Sequence, residues 1–119
     1  MALTIKRAYE EPSDDDGYRV LVDRLWPRGL SKQRAAIDLW LKDIAPSPEL
    51  RRWWNHDPAL MDEFATRYRA ELDHNPAVAE LRTLLEDKSA ITLVYGARDT
   101  WVNHARVLKE YVSETSPQQ

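Results

Sequence analysis

The middle of the chain contains three dipeptides of the same kind, a polar residue followed by proline: Ser47-Pro48, Asp57-Pro58 and Asn75-Pro76. A Ser, Asp or Asn side chain can accept hydrogen bonds from the free N–H groups at the start of a helix. Proline suits the first helical position because it has no N–H to leave unsatisfied. Each dipeptide therefore predicts the start of a helix. Apolar residues follow at helical spacing: Leu50, Trp53 and Trp54; Met61, Phe64, Tyr68 and Leu72; Val78, Leu81 and Leu85.

Strand patterns precede these helices. Leu3 and Ile5 alternate with polar neighbours, which is typical of a half-buried strand, and residues 20–22 indicate a more central one. The eight residues 10–17 between them fit a hairpin more easily than a helical crossover, although the pairing direction stays open. Alternation of Ile37, Leu39 and Leu41 favours another strand, but a short helix would suit this segment equally.

The run AITLVY at residues 90–95 predicts a buried strand, and residues 96–99 lead into a last helix carrying Trp101, Ala105, Leu108 and Val112. Strands, then helices, then a strand and a helix indicate an α/β fold. We expect a small, mostly parallel or mixed sheet of about four strands covered by about four or five helices. The domain should span residues 1–112, with a flexible tail at residues 113–119.

Composition excludes several classes of protein. The chain has no cysteine, which rules out disulfides and thiolate metal sites and suits a reducing cytoplasm. Its N-terminus lacks the apolar core of a signal peptide, and no stretch is long enough to span a bilayer, so we expect a cytoplasmic protein with no membrane partner. A net charge of -3 makes nucleic acid an unexpected partner.

Metal and nucleotide motifs are also lacking. The histidines at positions 56, 74 and 104 do not have chelate spacing, so no metal site is predicted. Three glycines are too few for a glycine-rich phosphate loop. No particular cofactor is indicated.

The main functional signal is that two apolar strands end in arginine-bearing loops. Ligands of open α/β sheets bind beyond the carboxyl ends of the strands. Pro27 and Gly29 should hold Trp26 and Arg28 on a rigid turn. Arginine suits phosphate or carboxylate, and aromatic rings can stack on a planar group. The predicted ligand-binding residues are Arg24, Trp26, Arg28, Tyr95, Arg98 and Asn103.

The last helix adds two expectations. Its first N–H groups, directly after the loop at residues 96–99, could bind an anion. His104 is the candidate catalytic residue, as an acid or base acting on a ligand held by the arginines. The alternative for all these positions is structural: Arg24 would pair with Asp23, Asp38 or Glu71, Trp26 would fill the core, and Asp99 would cap a helix.

The chain resembles the YeaO-like family of small bacterial proteins, a domain of unknown function, over most of its length. The similarity is carried by DRLWPRG at residues 23–29, DLWLKDIAPS at residues 38–47, HDP at residues 56–58 and VYGARD...NHA at residues 94–105. The resemblance implies an α/β fold, and it draws attention to the residues on these segments: Arg24, Trp26, Arg28, His56, Asp57, Tyr95, Asn103 and His104.

Two functions compete at this point. The first is a protein, enzymatic or not, that binds an anionic small molecule, with or without an aromatic group, at the arginine loops. The second is a non-catalytic regulatory or interaction protein that binds another protein, a second copy of itself or nucleic acid through Trp and Arg surfaces. For the second, Trp53 and Trp54 are candidate anchors, since adjacent helical residues cannot both face the core.

Overall fold

The computed structural model describes residues 2–114, and its centre is a parallel sheet of four strands. Strands β1 (Ala2–Arg7), β2 (Tyr18–Leu21), β3 (Leu39–Trp40) and β4 (Ala90–Tyr95) lie in the order β1-β4-β2-β3. β4 pairs with β1 on one side and with β2 on the other. The predicted α/β class is confirmed, and the sheet is parallel throughout.

The expectation of a hairpin between the first two strands is wrong, because β4 lies between β1 and β2 and all three run in the same direction. The connection at residues 8–17 returns along the sheet without an α-helix and contains a short 3-10 helix, Asp14–Asp16. An extended segment of this length reaches roughly 30 Å, which is enough to bring the chain back from the end of β1 to the start of β2.

Hydrogen bonds and ion pairs of Asp16 form a network at the start of β2. Asp16 accepts hydrogen bonds from Lys6 Nζ at 3.1 Å and from the Ser13 N–H at 2.9 Å, and it forms an ion pair with Arg19. Burial raises the pKa of Asp16, but the hydrogen bonds from Ser13, Lys6 and Arg19 outweigh it and leave the pKa below its ordinary value. Gly17 follows with φ of 67°, and a side chain there would collide with the carbonyl of Ala90. The network therefore holds the chain tightly against the start of β4.

Five helices surround the sheet: α1 (Lys32–Ala35), α2 (Pro48–Trp54), α3 (Met61–Leu72), α4 (Ala77–Asp87) and α5 (His104–Glu114). The predicted capping side chains are confirmed. Ser47 accepts from the N–H of Leu50, Asp57 from that of Ala59 and Asn75 from that of Ala77.

Two helix boundaries differ from the prediction, one in the middle of the chain and one at its C-terminal end. Asp57 caps a short 3-10 turn, Pro58–Leu60, which leads into α3. α5 extends to Glu114, two residues beyond the predicted end of the domain, and the rest of the predicted tail lies outside the described residues.

The two faces of the sheet carry cores of unequal size. Val20, Ile91 and Leu93 face the larger core, which α2 to α5 cover. Leu21 and Val94 face a smaller one, formed with Ala35 of α1 and with Trp26 and Trp40 packed against it. The chain that follows β2 thus covers one face of the sheet, while the helix that follows β4 covers the other.

Among residues 2–114, no helix is both long enough and apolar enough to cross a bilayer.

Candidate functional site

A cavity of about 320 Å³ lies at the carboxyl edge of the sheet. We call it the edge cavity. Because the strands are parallel, their carboxyl ends meet at this edge. Tyr9 follows β1, residues 23–28 follow β2, Ala45 and Pro46 lie beyond β3, and Gly96 and Ala97 follow β4. The cavity is completed by Arg51, Trp54, His56 and His104.

The location agrees with a general rule for open α/β sheets. Ligands bind where neighbouring strands send the chain to opposite faces. β2 and β4 are such neighbours, since the loop after β2 packs in the smaller core and α5 packs in the larger one. The edge cavity lies at this switch point.

Asp23 connects the strand ends beneath the cavity. Its Oδ2 accepts a hydrogen bond from the Gly96 N–H at 2.9 Å, which joins the ends of β2 and β4. Its backbone carbonyl accepts from the Trp40 indole N–H at 2.7 Å, which adds β3. Its Oδ1 is buried and has no hydrogen-bond partner. The carboxylate therefore organises the cavity floor while keeping one oxygen free.

The turn at residues 26–30 is rigid, as its proline and glycine predicted. The Trp26 indole N–H donates to the Leu30 carbonyl at 2.6 Å, and the Leu30 N–H donates to the Pro27 carbonyl at 3.3 Å. Gly29 has φ of 77°, a conformation that favours glycine at the third position of such a turn. The Tyr9 hydroxyl donates to the Arg28 carbonyl at 2.8 Å. The Arg28 side chain is thus presented to the cavity from a fixed backbone.

Three arginines line the edge cavity: Arg24, Arg28 and Arg51. None of them forms an ion pair with a carboxylate among residues 2–114, and Arg24 Nε is buried without a hydrogen-bond partner. The structural alternative for Arg24, pairing with Asp23, Asp38 or Glu71, is not realised. Among the described residues that line the cavity, Asp23 is the one carboxylate against three arginines, so positive charge is in excess there.

His104 sits at the start of α5 with its imidazole against the end of β2. Its Nε2 lies 2.9 Å from the Val22 carbonyl and 3.4 Å from Asp23 Oδ1. Since a carbonyl can only accept, Nε2 carries the proton of the neutral ring. Burial is the main cause that lowers the pKa of His104, and the nearby Arg51 and His56 lower it further, against the opposing effects of Asp23 and the Val22 carbonyl. Any proton transfer by the neutral ring would therefore use Nδ1.

His56 occupies an unusual backbone conformation beside the cavity. It follows Asn55, and both residues have positive φ, 48° for Asn55 and 55° for His56. The His56 ring lies 4.8 Å from the ring of Trp54, centroid to centroid. His56 and Ala97 border both the edge cavity and a neighbouring one of about 230 Å³. The turn after α2 thus forms the wall between two cavities.

Four of the seven predicted site residues line the edge cavity: Arg24, Trp26, Arg28 and His104. The structure places the other three elsewhere. Tyr95 is buried in the larger core, where burial raises the pKa of its hydroxyl. Arg98 borders the neighbouring cavity.

Asn103 is fully buried and caps α5, because its Oδ1 accepts from the Arg106 N–H at 2.8 Å and its Nδ2 donates to the Asp99 carbonyl. The expected anion site at the start of this helix is therefore wrong in two respects. α5 begins at His104, several residues after the loop, and its first turn already has a protein cap. Asp99 caps the intervening turn by accepting from the N–H groups of Trp101 and Val102, and these bonds lower the pKa of its carboxyl group.

Arg51 is the cavity residue that the sequence analysis missed. It precedes the buried Trp54 by three positions on α2, so the two side chains lie on the same face of that helix. A search for cations one helical turn from a buried aromatic residue would have found it.

The described residues contain no group of three His, Asp or Glu side chains arranged as metal ligands.

The fold and the site together define a small α/β protein with an arginine-lined cavity at the carboxyl edge of a parallel sheet. Residues 2–119 match the model of a protein family described as the inactive DUF488-N3 subclade, and the chain belongs to this family. The chain is 46% identical over 109 residues to the uncharacterized protein Rv3073c of Mycobacterium tuberculosis, which covers 92% of each chain. It is 39% identical over 112 residues to the uncharacterized protein YeaO of Escherichia coli, covering 94% of this chain and 97% of that one. The resemblance to YeaO-like proteins is therefore confirmed. No solved structure matches the chain.

Proposed function

We propose that this protein binds a small molecule with a phosphate or carboxylate group in the edge cavity, and that it does so without transforming it. The observation that carries the proposal is the set of arginines, Arg24, Arg28 and Arg51, which share one cavity without forming ion pairs within the described chain. Arg28 and Arg51 are exposed and can turn to a ligand, whereas Arg24 Nε is buried without a partner, which costs stability unless an anion satisfies it.

Size and polarity support a small ligand. A volume of about 320 Å³ lies at the lower end of the range of ligand pockets, roughly 300 to 1,000 Å³. Tyr9 and Leu25 line the same cavity and are 43% and 68% exposed. A ligand with an apolar or aromatic part next to its anionic group would cover them. The cysteine-free composition suits the cytoplasm, which we propose as the location.

The non-catalytic part of the proposal rests on two points. The description of the family as inactive is consistent with binding alone. In addition, the one ring proton of neutral His104 is committed to the Val22 carbonyl, which leaves the ring without a proton to donate. Binding alone therefore accounts for the arrangement with fewer assumptions than catalysis.

The competing interaction hypothesis is weakened, because its candidate anchors Trp53 and Trp54 are half-buried and buried. Trp54 is 2% exposed and stacks on Phe64 in the core, while Trp53 is half-buried under the Arg67 guanidinium group, 4.0 Å from its ring. Trp101 is 65% exposed but is covered on one face by Arg106. Single exposed aromatic residues are ordinary on a protein surface, so we favour the small-molecule hypothesis.

A thermal-shift screen tests the proposal with nucleotides, phosphorylated metabolites and aromatic acids. A ligand at about one hundred times its dissociation constant stabilises the fold by about 2.7 kcal/mol, which corresponds to a rise in melting temperature of about 10 °C for a domain of this size. Arg24→Gln, Arg28→Gln and Arg51→Gln should each reduce the rise. Arg67→Gln, which removes a cation on α3 that does not line the edge cavity, is the matched control and should keep it.

A screen in which no compound raises the melting temperature would refute the binding proposal. A compound that shifts the parent and the three cavity variants equally would place binding elsewhere. Conversion of a bound compound to a product, detected by chromatography after incubation, would contradict the non-catalytic part alone.

A further inference from the structure

Two residues that line the edge cavity each have a buried side-chain atom without a hydrogen-bond partner, and the two atoms differ in kind. Asp23 Oδ1 can only accept a hydrogen bond, and Arg24 Nε can only donate one. They belong to adjacent residues at the end of β2, and both residues line the cavity. A ligand that satisfies both must carry an acceptor and a donor close together.

The contacts around Asp23 explain why its Oδ1 is left free. The other oxygen, Oδ2, already accepts from the Gly96 N–H. The nearest cationic candidate is His104, whose Nε2 is 3.4 Å from Oδ1, but that nitrogen donates its proton to the Val22 carbonyl at 2.9 Å. The lowered pKa of His104 keeps its ring neutral near pH 7, so no second proton is available. Asp23 Oδ1 is therefore left to accept a hydrogen bond from a ligand.

The acceptor on Asp23 beside the arginines should distinguish between anions of similar shape, such as phosphate and sulfate. Sulfate, sulfate esters and carboxylates have only acceptor oxygens near neutral pH, so they satisfy the arginines but bring an oxygen lone pair against Asp23. Inorganic phosphate keeps at least one P–O–H group at this pH, and a phosphate monoester keeps one below its second pKa of about 6. The hydroxyl group of such an anion can donate to Asp23 Oδ1 while its other oxygens bind the arginines.

We propose that the edge cavity selects protonated phosphate, as inorganic phosphate or as a monoester, over sulfate, and that Asp23 is the residue that determines this specificity. The inference rests on the proposed anion-binding function and narrows its ligand class. Phosphate gains one hydrogen bond to the charged Asp23 carboxylate that sulfate cannot make. A hydrogen bond of this kind corresponds to binding of phosphate that is about tenfold or more tighter than binding of sulfate.

Isothermal titration calorimetry with two matched pairs tests the inference. The first pair is inorganic phosphate and sulfate at about pH 7, and the second is phenyl phosphate and phenyl sulfate at about pH 6, where the ester is partly protonated. The parent should bind phosphate about tenfold or more tightly than sulfate. Preference within the first pair alone would identify free phosphate as the ligand, and tighter binding of phenyl phosphate would identify a monoester.

Asp23→Asn is the decisive variant, because its amide oxygen can still accept from the Gly96 N–H while its amide N–H₂ replaces Oδ1 with a donor. The preference for phosphate should disappear or reverse, since sulfate can now accept from this group. Asp62→Asn, which removes a carboxylate on the exposed side of α3, is the control for net charge and should keep the parent ratio.

The outcomes separate the two proposals. Equal binding of phosphate and sulfate by the parent, or an unchanged ratio in Asp23→Asn, overturns the specificity while leaving anion binding intact. Absence of binding by all four compounds counts against both proposals. If Asp23→Asn does not fold, the ratio measured for the parent still decides.

Discussion

Arg19 and Arg24 lie five positions apart on the same short stretch of chain, yet their surroundings are opposite. Arg19, at the start of β2, is 3% exposed and is fully engaged with Asp16 and with the carbonyls of Ala35 and Ala36. Arg24, just after β2, lines the edge cavity with its Nε unpartnered. The charge of Arg19 at the start of β2 is therefore satisfied within the protein, whereas the charge of Arg24 after its end is available to a ligand.

The contrast teaches that the number of arginines near a sheet says little about binding. The Asp16 network contains two cations and one carboxylate, but carbonyl groups accept the remaining N–H donors of Arg19. The side chains of the three arginines at the edge cavity make no hydrogen bond or ion pair among residues 2–114. The supply of acceptors, rather than the count of cations, separates a structural cluster from a binding site.

The test with the largest expected effect replaces Arg19 and Arg24, one at a time, with methionine, which keeps much of the side-chain volume. Arg19→Met leaves two carbonyls without donors and weakens the pairing of buried Asp16, so it should lower the free energy of unfolding by about 3 kcal/mol or more. Arg24→Met removes an unpaired cation and should change it by less than about 1 kcal/mol. Urea unfolding of both variants measures this, and equal losses would mean that Arg24 also has a structural role.

A test of intermediate size compares the glycines at the two ends. Gly17→Ala forces a side chain against the Ala90 carbonyl and also imposes a strained φ, so we expect a loss of about 2 to 3 kcal/mol. Gly29 has nothing within 4 Å of the position that a side chain would take, so Gly29→Ala should cost only the backbone strain, about 1 kcal/mol. Thermal unfolding gives both values. A larger loss of unfolding free energy for Gly29→Ala than for Gly17→Ala would contradict the finding that Gly17, and not Gly29, packs against neighbouring backbone.

The smallest expected effect concerns pH and His104. Because its pKa is lowered in the folded state, the unfolded chain binds more protons between that pKa and the ordinary value of 6.5. The contribution of His104 is fully present above pH 6.5 and is lost as the pH falls through this window, with a slope of at most about 1.4 kcal/mol per pH unit.

His104→Gln should flatten the dependence of the unfolding free energy on pH in this range. His74→Gln, at an exposed position in the turn after α3, is the control and should follow the parent. If both variants follow the parent, His104 is not the group responsible.

Much of the fold could be predicted from local patterns. The capping residues, the apolar strands and the rigid turn at residues 26–30 depend on neighbours in sequence, and they lie where the sequence placed them. The parallel position of β4 between β1 and β2 could not be predicted, because it depends on contacts between residues far apart in the chain. The four-residue α1 was missed because so short a helix carries almost no periodic signal.

The site was predicted less completely for the same reason. The loop after β2 carries Arg24, Trp26 and Arg28, and its place at the sheet edge follows from the strand before it. Arg51 comes from a helix whose docking depends on tertiary packing. Arg98 and Asn103 were expected at the cavity because the last helix was expected to start immediately after β4, whereas the intervening turn directs Arg98 to the neighbouring cavity and Asn103 into the helix cap.

The sheet order also has a consequence for synthesis of the chain. β1 and β2 both pair with β4, whose residues Ala90–Tyr95 are synthesised after both of them. Until β4 emerges from the ribosome, β1 has no neighbour in the sheet, and the nascent polypeptide exposes the edges of strands that are buried in the folded protein. The sheet therefore cannot form before residue 95 has been translated, so a ribosome that stalls before residue 90 should hold a chain that is prone to aggregate.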